Sequence, residues 1–185
     1  MVIKKEISKI IQGRNSFYPR EFNGKVIGED VIIQLLKNAN FAPSHKMTQP
    51  WFFKIFCGDS KKILIDEIIR LNPNFSKEKI EKLKVNYDKS SHIICICVKL
   101  NKDILPEWEE IAATAMAVQN LWISCVDSKI GGYWSTPKYC SKMKDFLCLN
   151  SEEKCLGFFY LGCIDHKNPR NIKRKNINEK IEWHR

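Results

Sequence analysis

No apolar run in this 185-residue chain approaches the roughly 20 residues that a membrane-spanning helix needs. The opening stretch, MVIKKEISKIIQGR, has lysines but no extended apolar core and no small-residue cleavage site. It therefore lacks the pattern of a secretory signal, and a cytoplasmic protein is the simple expectation. Histidine is scarce, with four in all, and no internal repeat or low-complexity tract interrupts the chain. There is no GxGxxG, no Walker loop, no GxSxG elbow, no HExxH and no paired Cys–His signature. These gaps remove the common nucleotide loops, the serine-nucleophile hydrolases and the helical zinc proteases from consideration.

Cysteine is not scarce, but its spacing is uninformative for metal. The eight cysteines fall at 57, 95, 97, 125, 140, 148, 155 and 163, without a single CxxC pair. Cys95 and Cys97 share one face of the apolar run HIICICV, and Cys155 and Cys163 flank GFFYL. Reduced thiols used as small buried side chains are expected, with no metal site.

What is present in excess is positive charge: 31 Lys and Arg against 21 Asp and Glu, a formal +10. Residues 166–185 hold bases at 167, 170, 173, 174, 175, 180 and 185 against Glu179 and Glu182, half of that excess. Such a tail suits nucleic acid, an acidic surface or the phosphate of a small ligand. A basic nucleic-acid-binding module is thus a minority reading, but the wealth of lysine, isoleucine and asparagine points to general compositional bias.

Helical spacing is expected over Lys4–Gln12 and Glu29–Asn40, and again over Lys61–Leu71 and Ser76–Asp88, where Ser76 is a fitting N-cap. Trp51–Cys57, Ile93–Leu100, Ile130–Trp134 and Leu156–Leu161 read as strands. The unbroken apolar run of the second suggests a central strand covered on both faces. Pro106 and Glu107 open a long helix to about Asp127, apolar almost all round, and a short helical piece follows around Tyr139–Phe146. The class is α+β or α/β, with a small sheet of about four strands wrapped by helices.

Few catalytic side chains and many aromatics and bases suggest that a cofactor carries the chemistry. Four clusters suit a planar, phosphate-bearing ligand. Arg14-Asn15-Ser16 follows a helix and offers an arginine fork with a hydroxyl. The stretch FAPSHKMTQPWFF, from Phe41, is stiffened by Pro43 and Pro50 and presents His45 and Lys46. GGYWST, 131–136, combines two glycines with Trp134, Ser135 and Thr136. Lys173-Arg174-Lys175 adds charge near the C-terminus. Each has an ordinary structural reading: a helix-end loop, a stiff turn, a strand end and a solvated charge run.

In this order the clusters resemble the nitroreductase family of flavin enzymes over nearly the whole chain. Arg14-Asn15-Ser16 is similar to the family's opening Arg-Arg-Ser, and Ala42-Pro43-Ser44 through Gln49-Pro50-Trp51 to its Ala-Pro-Ser…Gln-Pro-Trp loop. The APxHKxxxPW form resembles a small, single-domain branch, as do PEWEE at 106–110, AVQN at 117–120, IGGYW at 130–134 and GFFYLG at 157–162. Three positions depart from the pattern: Asn15 replaces the second arginine, Ser135 a frequent arginine, and Asn176 a usual proline.

The resemblance implies an α+β fold with a mostly antiparallel sheet of four to five strands. It implies an intertwined homodimer with FMN, held without a covalent bond, at the subunit interface. One nitroreductase-like domain would span residues 1–165, with 166–185 a basic arm of that domain or packed on the partner subunit. NADH or NADPH would be the electron donor, and a nitroaromatic, quinone or related small molecule the acceptor. The implied cofactor-binding set is Arg14, Asn15, Ser16, Phe41, His45, Trp134, Ser135, Thr136, Arg174 and Lys175, with His45 reaching the flavin from the partner subunit. No side chain need act as catalyst, and no nucleic acid, membrane or metal is expected. Another metabolic redox role on the same fold is an equally open implication.

Overall fold

A computed structural model of the chain describes residues 4–165 and 173–185. Of the basic tail, His166, Lys167 and Arg170 lie outside the described residues.

Among the described residues five α-helices surround one sheet of four strands: α1 (Lys5–Gly13), α2 (Glu29–Ala39), α3 (Ser60–Arg70), α4 (Lys77–Lys89), α5 (Glu107–Ile123), and β1 (Trp51–Cys57), β2 (His92–Lys99), β3 (Ile130–Ser135), β4 (Glu153–Cys163). The strand order is β1-β2-β4-β3, and every pairing is antiparallel. The chain is α+β with a small antiparallel sheet, as expected.

The central position of β2 explains its composition. With β1 on one side and β4 on the other, all its residues except Lys99 are buried. Alternate side chains feed two separate cores. Ile93, Cys95 and Cys97 face α3, α4 and the segment after β3, packing with Leu64, Ile68, Tyr87, Met143 and Phe158. Ile94 and Ile96 face α2 and α5, packing with Ile32, Leu35, Ala117, Leu121 and Phe159. All eight cysteines are free thiols, and Cys95, Cys97, Cys125 and Cys140 are buried. Burial pushes the Cys125 thiol up to about 12, in keeping with an inert core role.

Local rules account for some boundaries. Ser76 caps α4, its Oγ accepting the Lys79 N–H at 3.2 Å. The long helix ends at Ile123, four residues before its expected end near Asp127, because the chain turns there: Ser124 Oγ donates to the Asn120 carbonyl and Asp127 has φ +61°. The helical piece expected at Tyr139–Phe146 is a 3-10 turn over Lys138–Lys142. The fourth strand is longer than its apolar run, because a bulge lets it change register. Ile96 pairs with Gly157 and Cys97 with Cys155, which leaves Leu156 without a register partner.

Helix α5 is less buried than its composition suggests. Ala113, Thr114, Ala117, Val118 and Leu121 line its inner side. Glu110 is also buried, its carboxylate accepting the Asn101 N–H at 2.6 Å and the Asn101 amide at 2.8 Å. On another stripe, at spacing of four, Trp108 and Met116 stand out in solvent with Ala112 between them. Helix α1 buries none of its residues, and Ile7, Ile10 and Ile11 are exposed. No helix among the described residues is long and apolar enough to cross a membrane.

Candidate functional site

The Arg14-Asn15-Ser16 turn is stitched to two elements that lie far from it in sequence. Trp122 Nε1, on α5, donates to the Asn15 carbonyl at 3.1 Å, and the Phe17 N–H donates to the Gly132 carbonyl of β3 at 3.0 Å. Asn15 turns its own amide back onto the Gly13 carbonyl at 2.9 Å, closing the end of α1. With the backbone held, the Arg14 guanidinium lies over the Trp122 ring, 4.5 Å from its centroid. That ring is itself set edge-on against Phe159, with centroids 5.2 Å apart.

The guanidinium is incompletely satisfied. Its Nη1 is buried and has no hydrogen-bond partner among the described residues. Burial, and then the nearby charge of Arg174, lower its pKa from the usual arginine range, yet a guanidinium stays cationic at neutral pH. Two like charges are therefore drawn together around a buried donor, an unfavourable arrangement that an anion would reverse. A cavity of about 360 Å³ opens here, lined by Lys9, Arg14, Asn15, Trp122, Asp127 and Gly132 among others.

Farther along β3, Trp134 points to the same side of the sheet as Gly132 and packs beside Phe159 and Leu161. Its indole Nε1 is a second buried donor without a partner among the described residues. The indole rests on Gly157 so closely that a Cβ there would sit 2.6 Å from Nε1 and 2.5 Å from the Ser135 carbonyl oxygen. Ser135 ends β3 and Thr136 follows it. The glycines of GGYWST admit side chains of the protein itself: a Cβ on Gly131 would meet the Phe17 Cβ and the Phe22 ring, and one on Gly132 would meet the Phe159 ring.

The loop between α2 and β1 is held in an uncommon backbone shape. Lys46, Met47 and Gln49 have φ of 52°, 54° and 44°, the left-handed region that side chains bearing a Cβ disfavour. Ser44 Oγ accepts the Gln49 N–H at 3.1 Å, Trp51 Nε1 donates to Asn40 Oδ1 at 3.1 Å, and the Lys99 N–H donates to the Pro50 carbonyl at 2.8 Å. His45 Nδ1 sits 2.6 Å from Glu109 Oε2 in the first turn of α5. Phe41, at the start of the loop, is 86% exposed.

The expected site residues thus fall into two groups. Arg14, Asn15 and the charge of Arg174 meet at the C-terminal end of α5, with Trp134 and Ser135 along the neighbouring strand. Ser16 and Thr136 adjoin these in sequence, and Lys175 is exposed beside Arg174. His45 belongs to the N-terminal end of α5, through Glu109. Glu109 and Trp122 are thirteen residues apart on one helix, about 20 Å at 1.5 Å per residue. One copy of the chain does not bring His45 to Arg14.

Sequence reasoning missed Trp122, the platform for Arg14, and Glu109, the partner of His45. Trp122 lies in an apolar helical run where an aromatic reads as core, and its indole donor was the available signal. Glu109 is one of three acidic residues in the first turn of α5, which reads as ordinary helix-end charge.

Three relatives show how general this architecture is. YfhC of Bacillus subtilis, provisionally named an NAD(P)H nitroreductase, is 24% identical over 179 residues, 93% of this chain and 91% of its own. The crystal structure of a nitroreductase-like family protein from Bacillus cereus is 26% identical, superposes with a TM-score of 0.84, and is matched over 100% of this chain and 98% of its own. NfnB from Mycobacterium smegmatis, an FMN-dependent nitroreductase solved with NADPH, shares the fold at a TM-score of 0.76 and 15% identity, over 97% of this chain and 98% of its own. The model of the Nitroreductase family matches residues 11–163, which take in the Arg14 turn, the His45 loop, α5 and the whole sheet. The chain belongs to the nitroreductase family.

Proposed function

We propose that the chain is an FMN-dependent oxidoreductase that uses NADH or NADPH to reduce nitroaromatics, quinones or related small acceptors, and that it works as a homodimer. The observation that carries this reading is the buried, unpartnered Nη1 of Arg14, held on Trp122 with the charge of Arg174 beside it. A phosphate dianion fits that donor set: the guanidinium fork supplies directional hydrogen bonds, and Lys9, Arg174 and Lys175 supply charge. Asn15 contributes backbone shape, with one amide N–H donating to the Gly13 carbonyl. In this reading Ser16 would contact the phosphate or ribityl end and Thr136 would line the cofactor, and the unpartnered Trp134 indole donor together with Ser135 suits a polar edge of a flavin ring.

When bound, FMN supplies hydride acceptance and hydride donation in alternate half-reactions, so that nicotinamide and acceptor use the site in turn. The protein's part is to hold, orient and keep water from the reacting face, with cations near the ligand to favour its anionic form. Steady-state rates measured against NADPH and a nitroaromatic acceptor test this order: parallel double-reciprocal lines are expected, and intersecting lines would contradict it.

The dimer is supported by the division of the site. His45 and Phe41 complete a pocket only if a second copy brings them to the Arg14 end. The exposed apolar residues supply a surface for that contact: Trp108 (67% exposed) and Met116 on α5, Met47 in the loop, and Ile7, Ile10 and Ile11 on α1. Light scattering is expected to give about twice the 21.7 kDa of one chain. A mass near one chain for protein that still binds FMN would refute the shared site. The proposal includes one domain over 1–165 with 166–185 as its basic arm, and a cytoplasmic setting suited to the free buried thiols.

A further inference from the structure

The loop that carries His45 is its own worst support. Lys46 and Met47, directly after His45, and Gln49 occupy the left-handed region, where a relaxed chain would not keep them. The loop's internal bonds tie Ser44 to Met47 and Gln49, and the His45 carbonyl to Thr48; none of them touches the imidazole. The described hydrogen bond that fixes the ring comes from outside the loop, from Glu109, at 2.6 Å.

We infer that Glu109 is a positioning residue: its carboxylate holds the His45 ring with the proton on Nδ1 and turns Nε2 outward, toward the FMN site of a second copy. This rests on the FMN reading above.

Three features separate the pair from an ordinary surface ion pair, which contributes little. The open depression of about 510 Å³ around it is lined by Pro43, Trp108, Ala112 and Met116, and among the described residues its ionisable lining groups are His45 and Glu109 themselves. The apolar lining leaves no other charged side chain of the described residues there to compete for either partner. The anchor is rigid, since Glu109 stands in the first turn of a 17-residue helix while His45 stands on a loop. The exposure is also unequal: the His45 side chain is 58% exposed and Glu109 23%, so the pair shields the carboxylate and leaves the outer part of the imidazole open. A carboxylate on Nδ1 fixes which nitrogen donates and leaves Nε2 as the ring's one remaining polar atom.

Two readouts on the intact protein decide the matter. The first is the tautomer of His45, from long-range proton–nitrogen correlation spectra of labelled protein, recorded across a pH series and read where the spectra themselves show a neutral ring. The resonances are assigned by their loss in His45→Gln. Nδ1–H is expected in the wild type, and Nε2–H, the commoner form of free imidazole, in Glu109→Ala. The second is FMN affinity by fluorescence quenching. Glu109→Ala is expected to weaken it roughly tenfold, and Glu109→Gln by less than about threefold, since the amide oxygen still accepts from Nδ1. His45→Ala should match Glu109→Ala, and the double variant should lose no more than either alone.

A wild type that takes up no FMN would overturn the parent reading together with the role assigned to Glu109. A wild type that binds FMN, with either the tautomer or the affinity indifferent to Glu109→Ala, would overturn this inference alone.

Discussion

Arg14→Ala is expected to yield a folded protein that has lost FMN affinity by about a hundredfold or more. The Arg14 guanidinium is the buried, directional cation at the proposed phosphate site, and losing a buried charge-assisted partner costs on the order of 3 kcal/mol, which is about two decades in Kd. Stability without ligand should move the other way or hardly at all. Removing the side chain forfeits its stacking on Trp122, worth roughly 0.5–1 kcal/mol, but also removes a buried donor without a partner and the repulsion with Arg174. Urea unfolding of FMN-free protein is therefore expected to agree with wild type within about 1 kcal/mol. That opposition is diagnostic: a residue with a structural task would lower both quantities. Arg14→Lys should restore part of the affinity, keeping the charge without the fork.

Gly157→Ala is expected to cost on the order of 2–5 kcal/mol of stability, the largest effect of any single methyl addition proposed for this chain. Gly157 has φ +140°, a conformation nearly closed to other residues, and this strain accounts for roughly 1–3 kcal/mol. The added Cβ would also stand 2.5 Å from the Ser135 carbonyl oxygen and 2.6 Å from Trp134 Nε1. Backbone of the paired strand cannot step aside as a flexible side chain can, so overpacking adds a similar amount. Gly58→Ala is the control: φ is again positive, +51°, but nothing lies within 4 Å of its Cβ, and about 1 kcal/mol is expected. Urea unfolding of both variants checks the pair. Because the clash presses on Trp134 and Ser135, Gly157→Ala should also weaken FMN, whereas Gly58→Ala should not.

The sequence made the scaffold legible where one local rule decided the outcome. HIICICV has no polar face, and only a strand paired on both sides and covered on both faces suits it; β2 is that strand. The spacing of Ile32, Leu35 and Ala39 placed α2 against the core, and Ser76 marked the start of α4. Local rules failed where a distant residue decided. The bulge at Leu156 depends on how β4 meets β2, and no periodicity within GFFYLG reports it. The end of α5 depends on a left-handed Asp127 that could as well have continued the helix.

The same division holds for the site. Arg14 and His45 stood out because their neighbours, the helix end and the two prolines, mark stiff chain. Their partners did not. Trp122 is 107 residues from the backbone carbonyl that it holds, and Glu109 is 64 residues from His45. Each sits in a helix whose composition already explains it, so the functional contact adds no signal of its own. The separation of Arg14 from His45 along α5 was likewise invisible until the helix had a length and both ends had neighbours.

The most direct test of the whole account is an anaerobic spectral titration of the purified wild type. FMN is added until uptake saturates, unbound flavin is removed, and NADH or NADPH is then supplied, followed by a nitroaromatic or quinone. The expected result is stoichiometric retention of FMN, loss of its visible absorption on addition of nicotinamide, and recovery of that absorption on addition of acceptor. Protein that retains no flavin, or flavin that stays oxidised in the presence of both nicotinamides, would contradict it.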